Sequence, residues 1–137
     1  MCIRDRATIK AGDNLPPTLL VDHYKIAQGI CFDLRFPELF RQQLPFDVLI
    51  LPAAFTYETG EAHWEVLLRA RAIENQCYVL ASAQSGMHDN GRRTFGHSMI
   101  IDPWGKVLVR VTEGEKVALA HIVPKQLETV RSRLPVF

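Results

Sequence analysis

Lys25-Ile-Ala-Gln-Gly-Ile-Cys31-Phe-Asp-Leu-Arg-Phe-Pro-Glu-Leu-Phe-Arg41 drives an apolar run into a cysteine and then turns into a helix. Lys25 to Ile30 has the apolar, glycine-containing look of a strand, and Pro37 fits the first turn of a helix, where its missing N–H costs nothing. The chain must reverse sharply between the two, so Cys31 projects at an elbow. At the end of a buried strand and the start of a helix, the helix dipole and unpaired backbone N–H groups favour a thiolate over a thiol. Asp33, Arg35 and Glu38 follow at short spacing, a mix of charges that predicts a local ion-pair network supporting the elbow. The alternative from residue type alone is that Cys31 is a small buried hydrophobe.

Outward from this stretch the pattern is that of an α/β protein. A turn at Leu15-Pro-Pro-Thr precedes a strand from Tyr24 to Cys31; a helix over Phe36–Gln43 leads to Asp47-Val-Leu-Ile-Leu-Pro52, a compact run typical of a strand buried on both faces. Ala53 to Gly60 reads as a polar-aromatic loop, placed where α/β proteins bind ligands. Trp64, Leu67, Leu68 and Ala72 recur at helical spacing and predict a helix over Glu61–Gln76. A strand over Cys77–Ala83 follows, then a loop over Gly86–Arg93. A hairpin pairs Ser98–Ile101 with Val107–Val111 across Asp102–Lys106. A strand near Val117–Val123 and a helix over Lys125–Leu134 complete the order. No internal repeat, linker or low-complexity stretch is evident, and one domain is the simplest organisation.

The chain has 137 residues, a net charge of +1 and 47% hydrophobic residues, the size and composition of one domain with a core. No basic stripe points to nucleic acid. No run of about 18 apolar residues could span a bilayer, and no secretory signal opens the chain, so the cytoplasm is the expected compartment. Cys2, Cys31 and Cys77 are odd in number and fit no metal spacing, which predicts free thiols, no disulfide and no structural zinc. Cys77, in an apolar run after a helix, reads as packing.

Three ordered blocks carry a family resemblance. Gly29-Ile-Cys-Phe-Asp-Leu-Arg-Phe-Pro-Glu-Leu39 resembles the cysteine motif of the nitrilase superfamily, the carbon–nitrogen hydrolases. Ala62-His-Trp-Glu-Val-Leu-Leu-Arg-Ala-Arg-Ala-Ile-Glu-Asn-Gln-Cys-Tyr-Val79 and Phe95-Gly-His-Ser-Met-Ile-Ile-Asp-Pro-Trp-Gly105 resemble later blocks of one branch, the deaminated glutathione amidases. The likeness runs from about Thr8 to Phe137.

It implies an α/β fold, the C-terminal portion of a four-layer α-β-β-α sandwich. It also implies an amidase in which Cys31 attacks a non-peptide linear amide to form a thioester, with no metal and no organic cofactor. On the same basis residues 1–137 are expected to be a partial domain, with residues 1–6 a non-native remnant. The family's base is a glutamate and its oxyanion partner a lysine, both upstream of the cysteine; neither motif is present here, and Lys10 and Lys25 do not sit in the lysine's context. A second acidic residue that often follows that lysine would fall on Asp5 by counting. The chain alone is therefore expected to be inactive, and the full-length parent to be a homodimer acting on a small amide.

Beside Cys31, the backbone N–H of Phe32 is the candidate oxyanion donor. Phe55, Thr56, Tyr57, Glu58 and His63 are candidate substrate contacts, with a solvated loop as the alternative. Asp33, Arg35 and Glu38 are candidate elbow supports. Two other readings stay open: a non-catalytic interaction domain that kept the fold, and a cysteine–histidine hydrolase drawing its base from His63, His97 or His121.

Overall fold

The computed structural model describes residues 12–137. Among these residues eight strands and three α-helices occur in the order β1 (Leu19–Val21), β2 (Tyr24–Gln28), α1 (Pro37–Arg41), β3 (Val48–Ile50), α2 (Tyr57–Asn75), β4 (Tyr78–Ala81), β5 (Ser85–Met87), β6 (Arg93–Phe95), β7 (Ser98–Ile101), β8 (Val107–Val111) and α3 (Pro124–Arg133), alternating from β2 to β4 as expected. Six strands form one mixed sheet in the order β1-β2-β3-β4-β7-β8, and β5 and β6 form a separate hairpin. β2, β3 and β4 are parallel neighbours, aligned as Ile26 on Val48 on Tyr78. The crossovers between them contain α1 and α2, since parallel neighbours cannot be joined by a tight turn.

One face of the sheet is sealed by these helices. Ala27, Leu49, Leu51, Val79, Ala81, Met99 and Ile101 pack on Leu34 and Phe40 from the first crossover and on Trp64, Leu68 and Ala72 of α2. On the opposite face α3 covers one end, where Leu127 meets Val48 and Tyr78. Beyond that end Ile50 is 37% exposed. The helix-on-sheet arrangement is that of an α/β sandwich built in layers.

Several boundaries depart from the sequence reading, each for a definable reason. The helix expected from Glu61 starts four residues earlier, at Tyr57, with Thr56 as its N-cap. Gly60 therefore lies inside the helix rather than ending a loop, and a Cβ there would lie 2.3 Å from the Cβ of Phe95. The loop expected over Gly86–Arg93 is the tip and flank of the β5–β6 hairpin, with Ser85 opposite Phe95. The first expected strand has an unforeseen antiparallel partner in β1.

The expected strand near Val117–Val123 does not form: this segment belongs to no described strand, and Val117 and Leu119 are 84% and 82% exposed. Alternating apolar residues specify which side chains share a face, but a strand also needs a neighbour for its N–H and C=O groups. Lys10, Asp5, Cys2 and the expected remnant at 1–6 lie outside the described residues.

Candidate active site

Cys31 stands where β2 gives way to a helix, and four local bonds define that junction. The parallel pairing of β2 with β3 continues past its last residue, as Gly29 N–H donates to Ile50 O (3.1 Å) and Cys31 N–H to Pro52 O (2.8 Å). The backbone then turns through Cys31 itself at φ 49°, a left-handed value uncommon for a side-chain-bearing residue, into a short 3-10 helix over Cys31–Arg35. Ile30 and Asp33 bond reciprocally: Ile30 N–H donates to Asp33 Oδ2 (2.8 Å) and Asp33 N–H to Ile30 O (3.0 Å). Residues held in sparsely populated backbone regions persist only when their surroundings over-determine them, and they cluster at functional sites.

Gly29 is needed for close approach. A Cβ at this position would sit 2.8 and 2.9 Å from Cε1 and Cζ of Phe40, so α1 can lie against the end of β2 only without a side chain there. Cys31 is half-buried and packs against the main core, while Ile30 beside it is 66% exposed.

The expected ion-pair network around the elbow is not what supports it. Among the described residues Asp33, Arg35 and Glu38 make no ion pair. Asp33 acts as a cap on Ile30. Arg35 lies with its guanidinium 5.7 Å from the Phe32 ring centroid and 5.4 Å from that of Phe55, and its Nη2 is 3.3 Å from His63 Nδ1. A guanidinium can only donate, so Nδ1 accepts in this pair. Glu38 is exposed on α1. Charges of opposite sign close in sequence pair only if their side chains face one another, and here Asp33 and Arg35 lie on the 3-10 turn while Glu38 lies on α1, each with its own surroundings.

The structure therefore gathers Phe32, Phe55 and His63 around Arg35, at the far end of the 3-10 helix that Cys31 opens. Phe55 is 7% exposed, with its ring 4.9 Å from Trp64. Thr56, Tyr57 and Glu58 sit at the start of α2 rather than in a loop. Thr56 Oγ1 donates to Thr59 Oγ1 (3.0 Å), and Glu58 is exposed. Tyr57 turns toward the hairpin, edge-on to Phe95, with the Arg93 guanidinium 3.8 Å from its ring centroid.

Among the described residues, none of His63, His97 and His121 hydrogen-bonds to the Cys31 sulfur. His97, at φ 61°, bonds through Nδ1 to Phe95 O (2.9 Å) and stacks on the Phe95 ring. His121 is exposed in the extended segment after β8. Among the described residues, no group of three or more His, Cys, Asp and Glu side chains could hold a metal ion.

Sequence reasoning missed Arg71. Its Nη2 donates to Leu34 O (2.6 Å) within the 3-10 helix, its Nη1 pairs with Glu74 (2.8 Å), and its side chain is 5% exposed. The signal was present: Trp64, Leu68, Arg71, Ala72 and Asn75 are all buried on α2, at i, i+4, i+7, i+8 and i+11. An open cleft of about 600 Å³ lies on the far side of the same strand ends, lined by Pro52, Ala53, Leu80, Ser82, Ser98 and Ile100 among others. Its link to the elbow is Pro52, whose carbonyl accepts the Cys31 N–H.

Comparison with known proteins places this geometry in a family. The Carbon-nitrogen hydrolase family model matches residues 3–132. The deaminated glutathione amidase of Synechocystis is 49% identical over 134 residues, covering 96% of this chain and 49% of that protein. Saccharomyces cerevisiae Nit3, a member of branch 10 of the nitrilase superfamily, superposes with a TM-score of 0.87 at 33% identity, over 97% of this chain and 49% of that one. An amidase variant from Nesterenkonia sp. AN1, which shows Michael addition of acrylamide at its active-site cysteine, superposes with a TM-score of 0.72 at 25% identity, over 82% and 44%. The chain thus spans about half the length of the curated relative it matches. A cysteine at a strand-to-helix elbow, the layered α/β fold and these matches agree, and the chain belongs to the carbon-nitrogen hydrolase family.

Proposed function

We propose that these residues supply the nucleophile and the acyl-side wall of an amidase similar to deaminated glutathione amidase, acting on a small, non-peptide linear amide. The observation that carries this reading is the placement of Cys31: a half-exposed thiol at a left-handed turn just past the end of β2, the strand paired in parallel with β3. In the proposed reaction the thiol proton passes to a general base as sulfur adds to the amide carbon. The proton is then delivered to the departing nitrogen, the C–N bond breaks to release ammonia or an amine, and a thioester remains on Cys31. Water, activated by the same base, cleaves the thioester to the carboxylic acid and restores the thiol.

The Phe32 backbone N–H, following the nucleophile, is proposed as one oxyanion donor. Arg35, Phe55 and His63 are proposed as the substrate-facing wall, and Thr56, Tyr57 and Glu58 as more distant contacts. The general base and the oxyanion lysine are proposed to come from outside the described residues. In support, no carboxylate, lysine or histidine among them hydrogen-bonds to the Cys31 sulfur. The 137 residues alone should then turn over slowly or not at all. We further propose a homodimeric, cytoplasmic parent protein; for the dimer, the 67% exposed Val66 and 50% exposed Ile73 on α2 are consistent with a covered surface.

The test is acyl trapping. The protein incubated with a small α-keto amide and quenched in acid is digested and mapped by mass spectrometry, in a preparation that includes the upstream residues of its parent. An acyl adduct on Cys31 is expected. Turnover accompanied by an adduct at any other residue sinks the reading.

A further inference from the structure

We propose that Arg71 is the positioning residue for the nucleophile, acting from α2 through the carbonyl of Leu34 on the turn that holds Cys31. The inference rests on the proposed function only in naming Cys31 the nucleophile.

The 3-10 helix Cys31–Arg35 is five residues long and is anchored at its start by Cys31 N–H on Pro52 O and by the Asp33 cap on Ile30. So short a helix has few internal bonds, and a left-handed residue at its first position adds strain, so its far end needs an external anchor. Arg71 supplies it: Nη2 donates to Leu34 O at 2.6 Å, the guanidinium carbon lies 5.9 Å from the Phe40 ring centroid, and the side chain is 5% exposed. Charged donors give the stronger hydrogen bonds, and burial of the guanidinium among apolar neighbours makes loss of that bond costly.

Two features argue that this bond acts on the elbow rather than merely filling the core. A buried guanidinium is expensive to hold, and among the described residues Arg71 has one charged partner, Glu74, whose own side chain is 35% exposed. Arg71 Nε is buried without a hydrogen-bond partner. An apolar residue of similar length would pack there without either cost, so what the arginine adds at this position is the Leu34 bond. Through it the middle of α2 and the turn three residues after Cys31 form one rigid unit.

The test uses two readouts on the folded chain with Arg71→Met, Arg71→Lys and Glu74→Gln. Native-state amide exchange should rise about tenfold at Asp33 and Phe36 in Arg71→Met while Val79, in the sheet core, stays within about twofold. Iodoacetamide modification of Cys31 should slow at least about fivefold in Arg71→Met, because sulfur no longer held at the turn loses the environment that favours its reaction. Arg71→Lys, which keeps the charge and one donor, should restore at least about half of the rate. Glu74→Gln removes the ion pair but not the Leu34 bond and should leave Cys31 within about twofold of wild type.

An unchanged or faster Cys31 rate in Arg71→Met overturns the proposal, as does an equal slowing in Glu74→Gln or a uniform rise in exchange that includes Val79. If Arg71→Met does not fold, Arg71→Lys decides: a rate between about half of wild type and wild type, with exchange raised at Asp33 and Phe36 only, supports it. Wild-type exchange at both positions, or a larger loss of rate, overturns it. None of these readouts requires turnover, so failure of the amidase reading, seen as no acyl adduct on Cys31, is a separate result.

Discussion

At Cys31 the chain leaves strand β2 and enters a helix; at Cys77 it leaves helix α2 and enters strand β4. Both junctions turn through a left-handed residue, Cys31 at φ 49° in the first and Gln76 at φ 48° in the second. In the first the cysteine is itself the turn, so its side chain is thrown to the edge of the core and remains half-exposed. In the second the turn falls to the preceding residue, and Cys77 is folded beneath it, 0% exposed, with its sulfur 3.9 Å from Arg71 O. Burial pushes the Cys77 thiol far above its ordinary value, with the Arg131 charge pulling the other way. The polarity of the junction matters as well: the helix start presents N–H groups, while the helix end presents carbonyls that disfavour negative charge. A one-residue difference in where the bend falls thus separates a half-exposed sulfur from a buried one, and Arg71 contacts both sites.

The strongest way to break this contrast is to exchange the chemistry at each junction. If the proposed amidase activity holds, Cys31→Ser should lower its amide turnover by about 10³-fold or more while leaving the circular dichroism spectrum unchanged, whereas Cys77→Ala should retain most of the turnover. Comparable loss in both variants would remove the distinction. Next in size is reactivity: under native conditions Cys31 should be alkylated by iodoacetamide at least about 100-fold faster than Cys77, and in urea the two should converge. Peptide-resolved mass spectrometry reads both rates from one sample.

Gly29→Ala sharpens the comparison from the packing side. Its Cβ would collide with Phe40 at 2.8 Å, so α1 must shift from the elbow. A loss of about 1–3 kcal/mol in urea unfolding is expected, together with slower modification of Cys31. A variant as stable as wild type would show that α1 does not brace this junction.

The smallest effect concerns pH. The folded state holds the Cys77 proton more tightly than the unfolded chain, whose thiol titrates near about 8.5. The contribution is fully present below that value, and as pH rises above it the unfolded state loses protons first. Stability should fall by at most about 1.4 kcal/mol per pH unit. Tyr78, also pushed up chiefly by burial, adds in the same direction above about pH 10. In Cys77→Ala the slope between about pH 8.5 and 10 should flatten. An unaltered slope would assign it to other groups.

The elbow was legible because it depends on local chemistry: an apolar run, a cysteine and Pro37 at the first turn of α1 are contiguous, and each constrains its neighbours' backbone. The substrate-side residues were legible only in part. Phe55 and His63 meet at Arg35, as neighbours that lie 20 or more positions away in sequence, but Tyr57 turned toward Phe95 because the helix began four residues before its expected start. Arg71 escaped notice because its partner is a backbone carbonyl 37 positions away, which leaves no charge pattern to recognise. The segment Val117–Val123 shows the opposite error: a sound local alternation was read as a strand, although strand formation depends on a partner.

By itself the amino-acid order determined the alternation of strands and helices, the elbow at Cys31 and the resemblance that named the family, because each follows from residue type and spacing along a short length of chain. Tertiary structure decided which cysteine is accessible, that Asp33 caps rather than pairs, and that Arg71 reaches Leu34. Those outcomes depend on burial and on contacts between distant positions, whose energies exist only once the elements have packed.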